Sequence, residues 1–352
     1  MADYFLSAMI SFSSCDMRKW VLFILLSMSM SLCAQRAVMH KQHYFKKTVP
    51  PGNYSGLAWM GENHYLMVSD KGADDGFFHL NIEIDSLSGE LSKVQVDSFV
   101  STHTKSRDIE GIAYLPHSQT VLLSGESDNR IIEYDLDGKA TGFELNIPDI
   151  LKQSRGNYSF EGLTYNPSTH LIWTTTESTL RTDGKSANAT NRVRNRLRLQ
   201  SFSENFQPCS TYIYQMDAPV SRKNARIYAM GVSEIVALDD GRLLILEREV
   251  YVSKGKLGSF VNTKLYLCHP QEQYSIDVEE SLNEHSPFLK KVLLCQWKTQ
   301  MNAIHQDFAN YEGMCLGPRL VDGRQVLVLC ADSQNQSGGL LRDWFRTIVI
   351  DI

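Results

Sequence analysis

Acidic residues recur at one position of a repeated phrase in this sequence. The phrase reads DIEGIAYL at 108–115, SFEGLTYN at 159–166 and NYEGMCLG at 310–317, so a glutamate and a glycine precede an apolar run each time. In the first two units a second glutamate, Glu126 or Glu177, follows 16 residues after the first. Carboxylates brought together serve as ligands of a hard cation or as general acids and bases. The spacing therefore indicates a candidate site assembled from several copies of one unit.

Five copies of this unit can be aligned along the chain. Each copy has an apolar strand, a turn cluster such as PHSQ or NPST, a second β-rich strand and an acid at its end. Residues equidistant from a hairpin turn face each other across the strand pair, so the first and last positions of a unit are expected to be cross-strand neighbours. The predicted pairs are Ser55 with Asp70, Glu110 with Glu126, Glu161 with Glu177, Glu234 with Glu249, and Glu312 with Asp332.

The elements that must position these acids form a propeller. A repeat of this size is typical of propellers and solenoids, and a third strand with its own turn follows each hairpin, as in RIIEYDLDGKATGFEL at 130–145. We therefore predict an all-β propeller with four-stranded blades; five blades are favoured and a sixth could lie within 268–309. The last unit ends after its third strand, so segment 37–49 is predicted to supply the fourth strand and close the ring. Because the first strand of a blade lies nearest the axis, the acids should converge at one mouth of the central channel.

Gathered carboxylates need a neutralising partner. Each like-charged cross-strand pair costs up to about 1 kcal/mol unless something compensates it. A hard cation such as Ca²⁺ could do so, as could shared protons that raise the carboxyl pKa values. Interleaved arginines could instead leave a purely structural ring, and a glutamate before glycine could simply accept backbone N–H bonds. The candidate arginines are Arg107, Arg130, Arg155 and Arg248.

The amino terminus carries an export signal. The apolar stretch 20–32 is preceded by Arg18 and Lys19, and its 13 residues span about 20 Å, too short for a membrane crossing of about 30 Å. We predict a signal peptide over 1–34, with translation beginning at Met17 and cleavage after Ala34. A lipoprotein attached through Cys33 is the rival interpretation. A single propeller domain over 35–352, exported to the periplasm or the exterior, is the expected product.

Composition limits the partners and the redox chemistry. The net charge of −5 gives no basic field for nucleic acid, and the charged content of 21% is ordinary for a globular protein. We expect a monomer that takes a small-molecule ester or phosphoester, without a membrane span.

The five cysteines from 209 onward show no metal-type spacing. Most of them lie in apolar strands and are predicted to be small buried residues, although one disulfide is possible.

Several phrases resemble one family of secreted bacterial proteins, the phytase-like or "esterase-like activity of phytase" domains. They are EGIAYL, FEGLTYN, YEGMCLGP, LLILERE at 243–249 and VLVLCADSQNQ. The family has Glu-Arg-Asp where this chain has Glu247-Arg248-Glu249, and Asp-Asn-Asn where it has Asp332 followed by SQN. The resemblance implies a β-propeller and the hydrolysis of an ester or phosphomonoester, assisted by Ca²⁺.

Metal-assisted hydrolysis is favoured over two other mechanisms. The chain has no GxSxG elbow for a serine hydrolase and no HExxH for zinc. A bound cation would hold a substrate oxygen and activate a water. The metal ligands are predicted to be Glu110, Glu161, Glu312 and Asp332, the catalytic base Glu126 or Glu177, the substrate-binding residues Arg107, Arg155 and Arg248, and the further acids of the funnel Asp70, Glu234, Glu247 and Glu249.

Two alternatives stay open. The protein could be a non-catalytic propeller that binds a ligand or a protein and holds one structural calcium ion. In addition, RVRNRLRL at 192–199 alternates strictly and predicts four arginines on one strand face. That face is either a phosphate-binding surface or a charged outer strand that resists edge pairing.

Overall fold

The computed structural model describes residues 37–156, 158–283, 285–301, 307–336 and 341–352. The predicted signal peptide over 1–34 lies outside these ranges. The described chain is an all-β propeller of five blades, each built on four strands, which confirms the predicted fold class. Among the described residues, no helix has the length and apolar character needed to cross a membrane.

The strands follow the order of the repeats. Before the first repeat lie β1 (Ala37–Met39) and β2 (His43–Tyr44). Blade I contains β3 (Tyr54–Gly61), β4 (His64–Ser69), β5 (Asp74–Ile84) and β6 (Leu91–Lys105). Blade II contains β7 (Ile109–Leu115), β8 (Thr120–Gly125), β9 (Arg130–Asp135) and β10 (Ala140–Glu144). Blade III contains β11 (Phe160–Asn166), β12 (Leu171–Thr176), β13 (Arg196–Ser203) and β14 (Pro208–Gln215). The short strand β18 (Ser275–Ile276) pairs with the outer edge of β14.

Blade IV contains β15 (Ile227–Ala237), β16 (Leu243–Val252), β17 (Phe260–Cys268) and β19 (Lys291–Gln300). Blade V contains β20 (Asn310–Arg319), β21 (Gln325–Asp332) and β22 (Trp344–Ile350). Segment 268–309 therefore supplies the last strand of blade IV and the edge strand β18, and its described part forms no sixth blade. Three short 3₁₀ turns, at Asp149–Lys152, Arg181–Asp183 and Glu272–Tyr274, complete the regular structure.

The first strand of each blade lines the axis. β3, β7, β11, β15 and β20 each contact the corresponding strand of the next blade, and β20 also contacts β3. Apolar side chains fill the space between neighbouring blades, as with Leu66 of blade I against Ile112 of blade II. Phe345 of blade V likewise packs with Tyr65 of blade I. Blades V and I therefore share a core of the same kind as the others.

The amino-terminal segment joins the last blade. Ala37–Met39 pairs with the free edge of β22 antiparallel, and His43–Tyr44 pairs further along the same strand. This places part of the predicted segment 37–49 next to the third strand of blade V. That this segment closes the ring stays a prediction.

All five inner strands contain a β-bulge at the same point of the repeat. In blade II the pairs Ile109–Gly125 and Gly111–Ser124 leave Glu110 as an extra residue, and in blade V Glu312 is extra in the same way. The register also shifts between Tyr54 and Leu57, between Phe160 and Leu163, and between Val232 and Glu234. A bulge redirects a side chain and often lies beside a functional site. The repeated phrase is therefore the sequence of a bulge.

The glycine after the bulge allows the inner strands to approach each other. A Cβ atom on Gly111 would lie 2.5 Å from the carbonyl oxygen of Glu161, and one on Gly56 would lie 2.8 Å from that of Glu110. Real side chains do not tolerate such contacts with backbone atoms. The glycines are therefore required by the close packing of successive blades.

The predicted strand face of arginines takes another form. β13 begins at Arg196, so Arg192 and Arg194 belong to the preceding loop, and Arg192 has a backbone φ of 59°. Arg198 is buried and binds both oxygens of Asp183 at 2.7 Å. The alternation therefore does not place four arginines on one strand face.

The five cysteines from Cys209 onward are free. Cys268, Cys315 and Cys330 are buried, Cys295 is partly buried, and Cys209 is exposed. The prediction that most of them are small buried residues agrees with this placement, and no disulfide joins any two of these five.

Candidate active site

Two sets of equivalent positions come together where the inner strands begin. The bulge positions are the extra residues of the inner strands, and the closing positions are their cross-strand neighbours in each second strand or directly after it. The backbone amides of Asp70, Glu126 and Glu177 each donate to the carbonyl of the residue directly before the inner strand, while Arg248 pairs with Gly231 and Asp332 with Asn310. The bulge positions are Ser55, Glu110, Glu161, Ser233 and Glu312, and the closing positions are Asp70, Glu126, Glu177, Arg248 and Asp332.

Seven carboxylates and one arginine occupy eight of these ten positions. We call these eight residues the mouth cluster. Each of the seven carboxylate residues is at most 8% exposed. They are close enough to perturb one another: the charges of Glu312 and Asp70 act on Glu110, and that of Glu177 acts on Glu126. Burial and mutual repulsion both oppose ionisation, so the cluster needs protons or cations.

Arg248 is the principal internal countercharge. Its Nη2 lies 2.8 Å from Glu177 Oε1 and 3.9 Å from Glu161 Oε1, and its Nη1 contacts Glu312 Oε1. Burial disfavours the guanidinium charge, but the charges of Glu312, Glu177 and Glu161 raise the pKa of Arg248 well above its usual range. Arg248 therefore neutralises part of the negative charge of the carboxylates in blades III and V. This is the role considered above for an interleaved arginine.

Blades I and II keep uncompensated charge. Ser55 Oγ donates to Glu110 Oε2 at 2.7 Å, and Lys71 Nζ lies 2.6 Å from Asp70 Oδ2. Glu126 forms no ion pair with any described residue. Two carboxylate oxygens of the mouth cluster, Asp70 Oδ1 and Glu161 Oε2, are buried and have no hydrogen-bond partner in the part of the chain that the structure describes. Unpaired buried carboxylate oxygens have the donor chemistry that a hard cation requires.

The carboxyl pKa values rise for two reasons. Burial raises the pKa of Glu126 to about 7, with a further contribution from the charge of Glu177. Burial raises the pKa of Asp332 to about 8, and Glu312 adds to that shift. For Glu110 and Glu161, burial followed by the neighbouring carboxylates raises the pKa well above its ordinary value. Groups that titrate near neutrality can both give and accept a proton.

The fourth unit is displaced by one residue from the predicted alignment. Its bulge residue is Ser233 and its closing residue is Arg248, because Val232 pairs with Glu247 and Glu234 pairs with Leu246. The interval from Ser233 to Arg248 equals that from Glu234 to Glu249, so spacing alone fits both alignments. A shift of one residue moves a side chain to the opposite face of the strand.

Three acids predicted for the funnel consequently lie outside the mouth cluster. Glu234 Oε1 accepts the backbone N–H groups of Leu163 and Ile235 at 3.1 and 3.0 Å. Glu249 accepts N–H groups of the backbone segment 220–221. Glu247 accepts from Tyr214 Oη and pairs with Lys291 Nζ, both at 2.6 Å. These contacts are structural, because Glu234 and Glu249 accept backbone N–H groups and Glu247 forms an ion pair with a lysine.

Two of the three arginines predicted to bind substrate serve the framework instead. Arg107 Nε pairs with Asp128 at 2.8 Å and its guanidinium donates to Tyr134 Oη and to a backbone carbonyl. Arg155 donates to backbone carbonyls of the loop 177–195, including that of Thr179 at 3.2 Å. Arg130, at the surface, pairs with Glu144. Of the candidate arginines only Arg248 enters the mouth cluster.

Sequence reasoning did not assign three polar residues that contact the cluster. Ser55 binds Glu110, Lys71 pairs with Asp70, and Asn310 binds both Arg248 Nη1, at 3.1 Å, and Glu312 Oε1, at 2.7 Å. Ser55 occupies the bulge position, which the repeat itself marks. Lys71 and Asn310 flank cluster positions, but the repeat gives no signal for them.

The predicted metal ligands are brought into one cluster without forming a ready-made cage. Glu110, Glu161, Glu312 and Asp332 all belong to the mouth cluster, and their oxygen donors suit Ca²⁺. Within the described ranges, however, no three His, Cys, Asp or Glu side chains converge as a metal site. The fit to a cation therefore rests on the unpartnered oxygens and the surplus of carboxylates.

The opposite end of the channel has a different character. A cavity of about 250 Å³ is lined there by the far halves of the inner strands, including Leu57, Ile112, Leu163 and Met314. Its lining is mainly apolar and carries one acid, Asp239. The charged side chains of the channel are therefore concentrated at the end that holds the mouth cluster.

The fold is a five-bladed propeller, and its candidate site is the acidic mouth of the central channel. A family model described as phytase-like, "esterase-like activity of phytase", matches residues 49–334. The chain belongs to this family, as the resemblance predicted. A search of curated proteins found no match.

Solved structures with related architecture are distant. A thermostable family-43 glycoside hydrolase is 12% identical, with 86% of this chain and 91% of that chain covered and a TM-score of 0.45. A luciferin-regenerating enzyme is 12% identical, covering 89% and 97%, with a TM-score of 0.43. The WD40 propeller domain of Doa1 is 10% identical, covering 89% and 96%, with a TM-score of 0.33. At such values the function must be argued from the residues of this chain.

Removal of Arg248 should destabilise the protein strongly at neutral pH. Arg248→Met leaves Glu161, Glu177 and Glu312 without their countercharge, and breaking a buried ion pair in this way costs about 3–5 kcal/mol. The loss should shrink in acid, where the carboxylates are protonated. Urea unfolding at pH 5 and pH 7.5 measures both effects. Arg130→Met, which breaks an exposed pair with Glu144, is the matched control and should cost less than about 1 kcal/mol; equal losses in the two variants would contradict the assignment.

Neutralising Asp332 should change how stability depends on pH. Its pKa is about 8 in the fold and 3.8 in a model peptide, so the folded state holds this proton more tightly than the unfolded chain does. The stabilisation of the fold by this bound proton is complete below pH 4 and is lost as the pH rises to about 8. The free energy of unfolding of Asp332→Asn, relative to wild type, should therefore increase over that interval. Denaturant titrations at several pH values test this, with the surface variant Asp322→Asn as control; parallel curves for wild type and Asp332→Asn would refute it.

Proposed function

We propose that the protein is a phytase-like hydrolase that cleaves a phosphomonoester or another ester at the mouth cluster, assisted by a calcium ion. The observation that carries this proposal is the excess of buried carboxylates over cationic side chains at one end of the channel. Seven carboxylates lie there with two cationic side chains, Arg248 and Lys71. Two of the carboxylate oxygens have no hydrogen-bond partner among the described residues. A purely structural ring would be expected to satisfy its own charges.

The cation would be held by Glu110, Glu161, Glu312 and Asp332. Asp70 adds a further unpartnered oxygen beside this set. When bound, a calcium ion would polarise a substrate oxygen and lower the pKa of a water molecule. The bulges place Glu110, Glu161 and Glu312 at the same end of the channel, and their side chains would turn toward the ion to act as ligands.

Glu126 is the better candidate for the general base. Its pKa of about 7 matches a group that must accept a proton near neutral pH, and no described cation pairs with it. Glu177, the other candidate, is engaged by Arg248 at 2.8 Å; burial raises the pKa of Glu177, and Arg248 offsets part of that rise. Arg248 could orient Glu161 and Glu177 while its unpartnered Nε remains available for a substrate oxygen.

We also propose that the protein acts after export, as a monomer in the periplasm or outside the cell. The apolar segment 20–32 and its preceding basic residues support export. Millimolar calcium outside the cytoplasm would suit a site assembled from dispersed carboxylates rather than from a dedicated loop.

A non-catalytic role is the second candidate. It is favoured by the ion pairs of Arg248, which already compensate three carboxylates, and by the lack of a convergent three-ligand group among the described residues. In that case the mouth cluster would hold one structural cation, and the propeller would bind a ligand or a protein.

Hydrolysis and stability can be separated by one set of variants. We expect the calcium-loaded protein to hydrolyse members of a phosphomonoester or carboxylester panel, EDTA to abolish this, and Glu126→Gln to lower kcat at least about 100-fold with an unchanged melting temperature. Glu144→Gln, on the exposed strand β10, is the control and should retain activity. If EDTA lowers the melting temperature and the calcium-loaded protein hydrolyses no substrate, the proposed enzyme is contradicted and the non-catalytic binding propeller is favoured.

A further inference from the structure

The cavity at the opposite end of the channel has one aromatic side. Trp59, Tyr114 and Tyr165 line it from blades I, II and III. These three residues are equivalent in the repeat, because each lies three positions after the glycine that follows the bulge. The same position holds Ala237 in blade IV and Leu316 in blade V, which also line the cavity. We call this space the aromatic cavity.

The three aromatic side chains are held in place by the fold. Each packs against an inter-blade core while remaining partly exposed. Trp59 Nε1 donates to the carbonyl of Glu62 at 2.9 Å, and Tyr165 Oη donates to the carboxylate of Glu204. Because these rings are already ordered, a ligand that contacts them loses little affinity to side-chain entropy.

The charge in the lining of the aromatic cavity is negative. Asp239, from blade IV, is the one carboxylate in this lining, and no lysine, arginine or histidine of the described chain lines the cavity. Asp239 Oδ2 lies 3.2 Å from Arg319 Nη2, but both side chains are more than half exposed, so this ion pair is weak. The carboxylate therefore remains able to attract a second cation.

The polar groups of the lining select the kind of cation. One carboxylate does not supply the roughly six to eight oxygens that Ca²⁺ takes. A primary ammonium needs acceptors for three N–H groups, and the mainly apolar lining offers few. A fully alkylated ammonium has no N–H group to satisfy, and the faces of Trp and Tyr rings attract its positive charge. The aromatic cavity therefore suits a quaternary ammonium group.

We propose that the aromatic cavity binds a small organic cation through a quaternary ammonium group. Trp59, Tyr114 and Tyr165 would contact the alkyl groups, and Asp239 would provide the opposing charge. The volume of about 250 Å³ is slightly below the roughly 300–1,000 Å³ of common small-molecule sites, so the ligand is small. This inference does not rest on the proposed function, because the aromatic cavity and the mouth cluster lie at opposite ends of the channel and share no residue.

Choline and its uncharged isostere 3,3-dimethyl-1-butanol test whether charge is recognised. The two molecules have the same shape, but a carbon atom replaces the ammonium nitrogen in the isostere. Calorimetry with the mature chain at constant ionic strength should show one choline bound per chain and at least about tenfold weaker binding of the isostere. Equal affinities for the two compounds, or no binding of choline at millimolar concentrations, would overturn the proposal.

Paired variants of Tyr114 test whether choline binds in the aromatic cavity. Tyr114→Leu removes an aromatic face and keeps an apolar side chain, whereas Tyr114→Phe keeps the face. We expect Tyr114→Leu to weaken choline binding at least about fivefold and to leave binding of the isostere nearly unchanged, while Tyr114→Phe binds choline as wild type does. If both variants bind choline equally well, the ion is held elsewhere, as at the mouth cluster, and the assignment fails.

A surface variant keeps the proposal testable if Tyr114→Leu does not fold. Asp239 is exposed, so Asp239→Asn should leave the melting temperature unchanged while weakening choline binding several-fold. Asp322→Asn is the matched control, because Asp322 is also an exposed aspartate paired with an arginine, and it should bind choline as wild type does. Equal choline affinity in Asp239→Asn and Asp322→Asn would contradict the role of Asp239 and overturn the proposed recognition of charge.

Discussion

Crowding of buried carboxylates at one end of the channel is the constraint on which the site depends. Seven such groups cannot all ionise in a poorly solvated space, and Arg248 and Lys71 supply only two opposing charges. The raised pKa values of Glu126 and Asp332 are the consequence. Blades III and V hold four of these carboxylates beside Arg248, and blades I and II hold three beside Lys71, so both sides of the ring keep a surplus of negative charge. A bound cation would reduce that surplus.

The fold produces this crowding through a local device repeated five times. Each inner strand carries one extra residue, and the bulge turns that side chain toward its neighbours in adjacent blades. In four of the five blades the next residue is a glycine, which lacks the Cβ that would otherwise strike the backbone of the next blade, as at Gly111 against Glu161; in blade IV it is Glu234. Stability and site are therefore coupled: the inter-blade apolar cores supply the free energy that holds the repelling groups together, and the bulges place the candidate cation ligands at one end of the channel.

Much of this could be predicted because repetition is visible in sequence. The phrase around Glu110, Glu161 and Glu312 favoured five blades, with a sixth left open, and it predicted that these three residues and Asp332 meet at one end of the channel. The fourth repeat could not be aligned in the same way, since Ser233–Arg248 and Glu234–Glu249 have equal spacing and only strand pairing distinguishes them. The roles of Arg107 and Arg155 were equally hidden, because their partners are backbone carbonyls and an aspartate set by tertiary contacts. Neither periodicity nor composition reports such contacts.

The central claim is that the mouth cluster holds protons which a cation displaces. Calcium titration calorimetry at pH 6.5, repeated in buffers of different ionisation enthalpy, counts the protons released per ion bound. Metal ligands must be deprotonated, so carboxyl groups that are protonated in the folded protein must lose their protons on binding. The account predicts release of about one proton or more per calcium ion. Calcium binding without proton release, or no binding at millimolar concentrations, would contradict it.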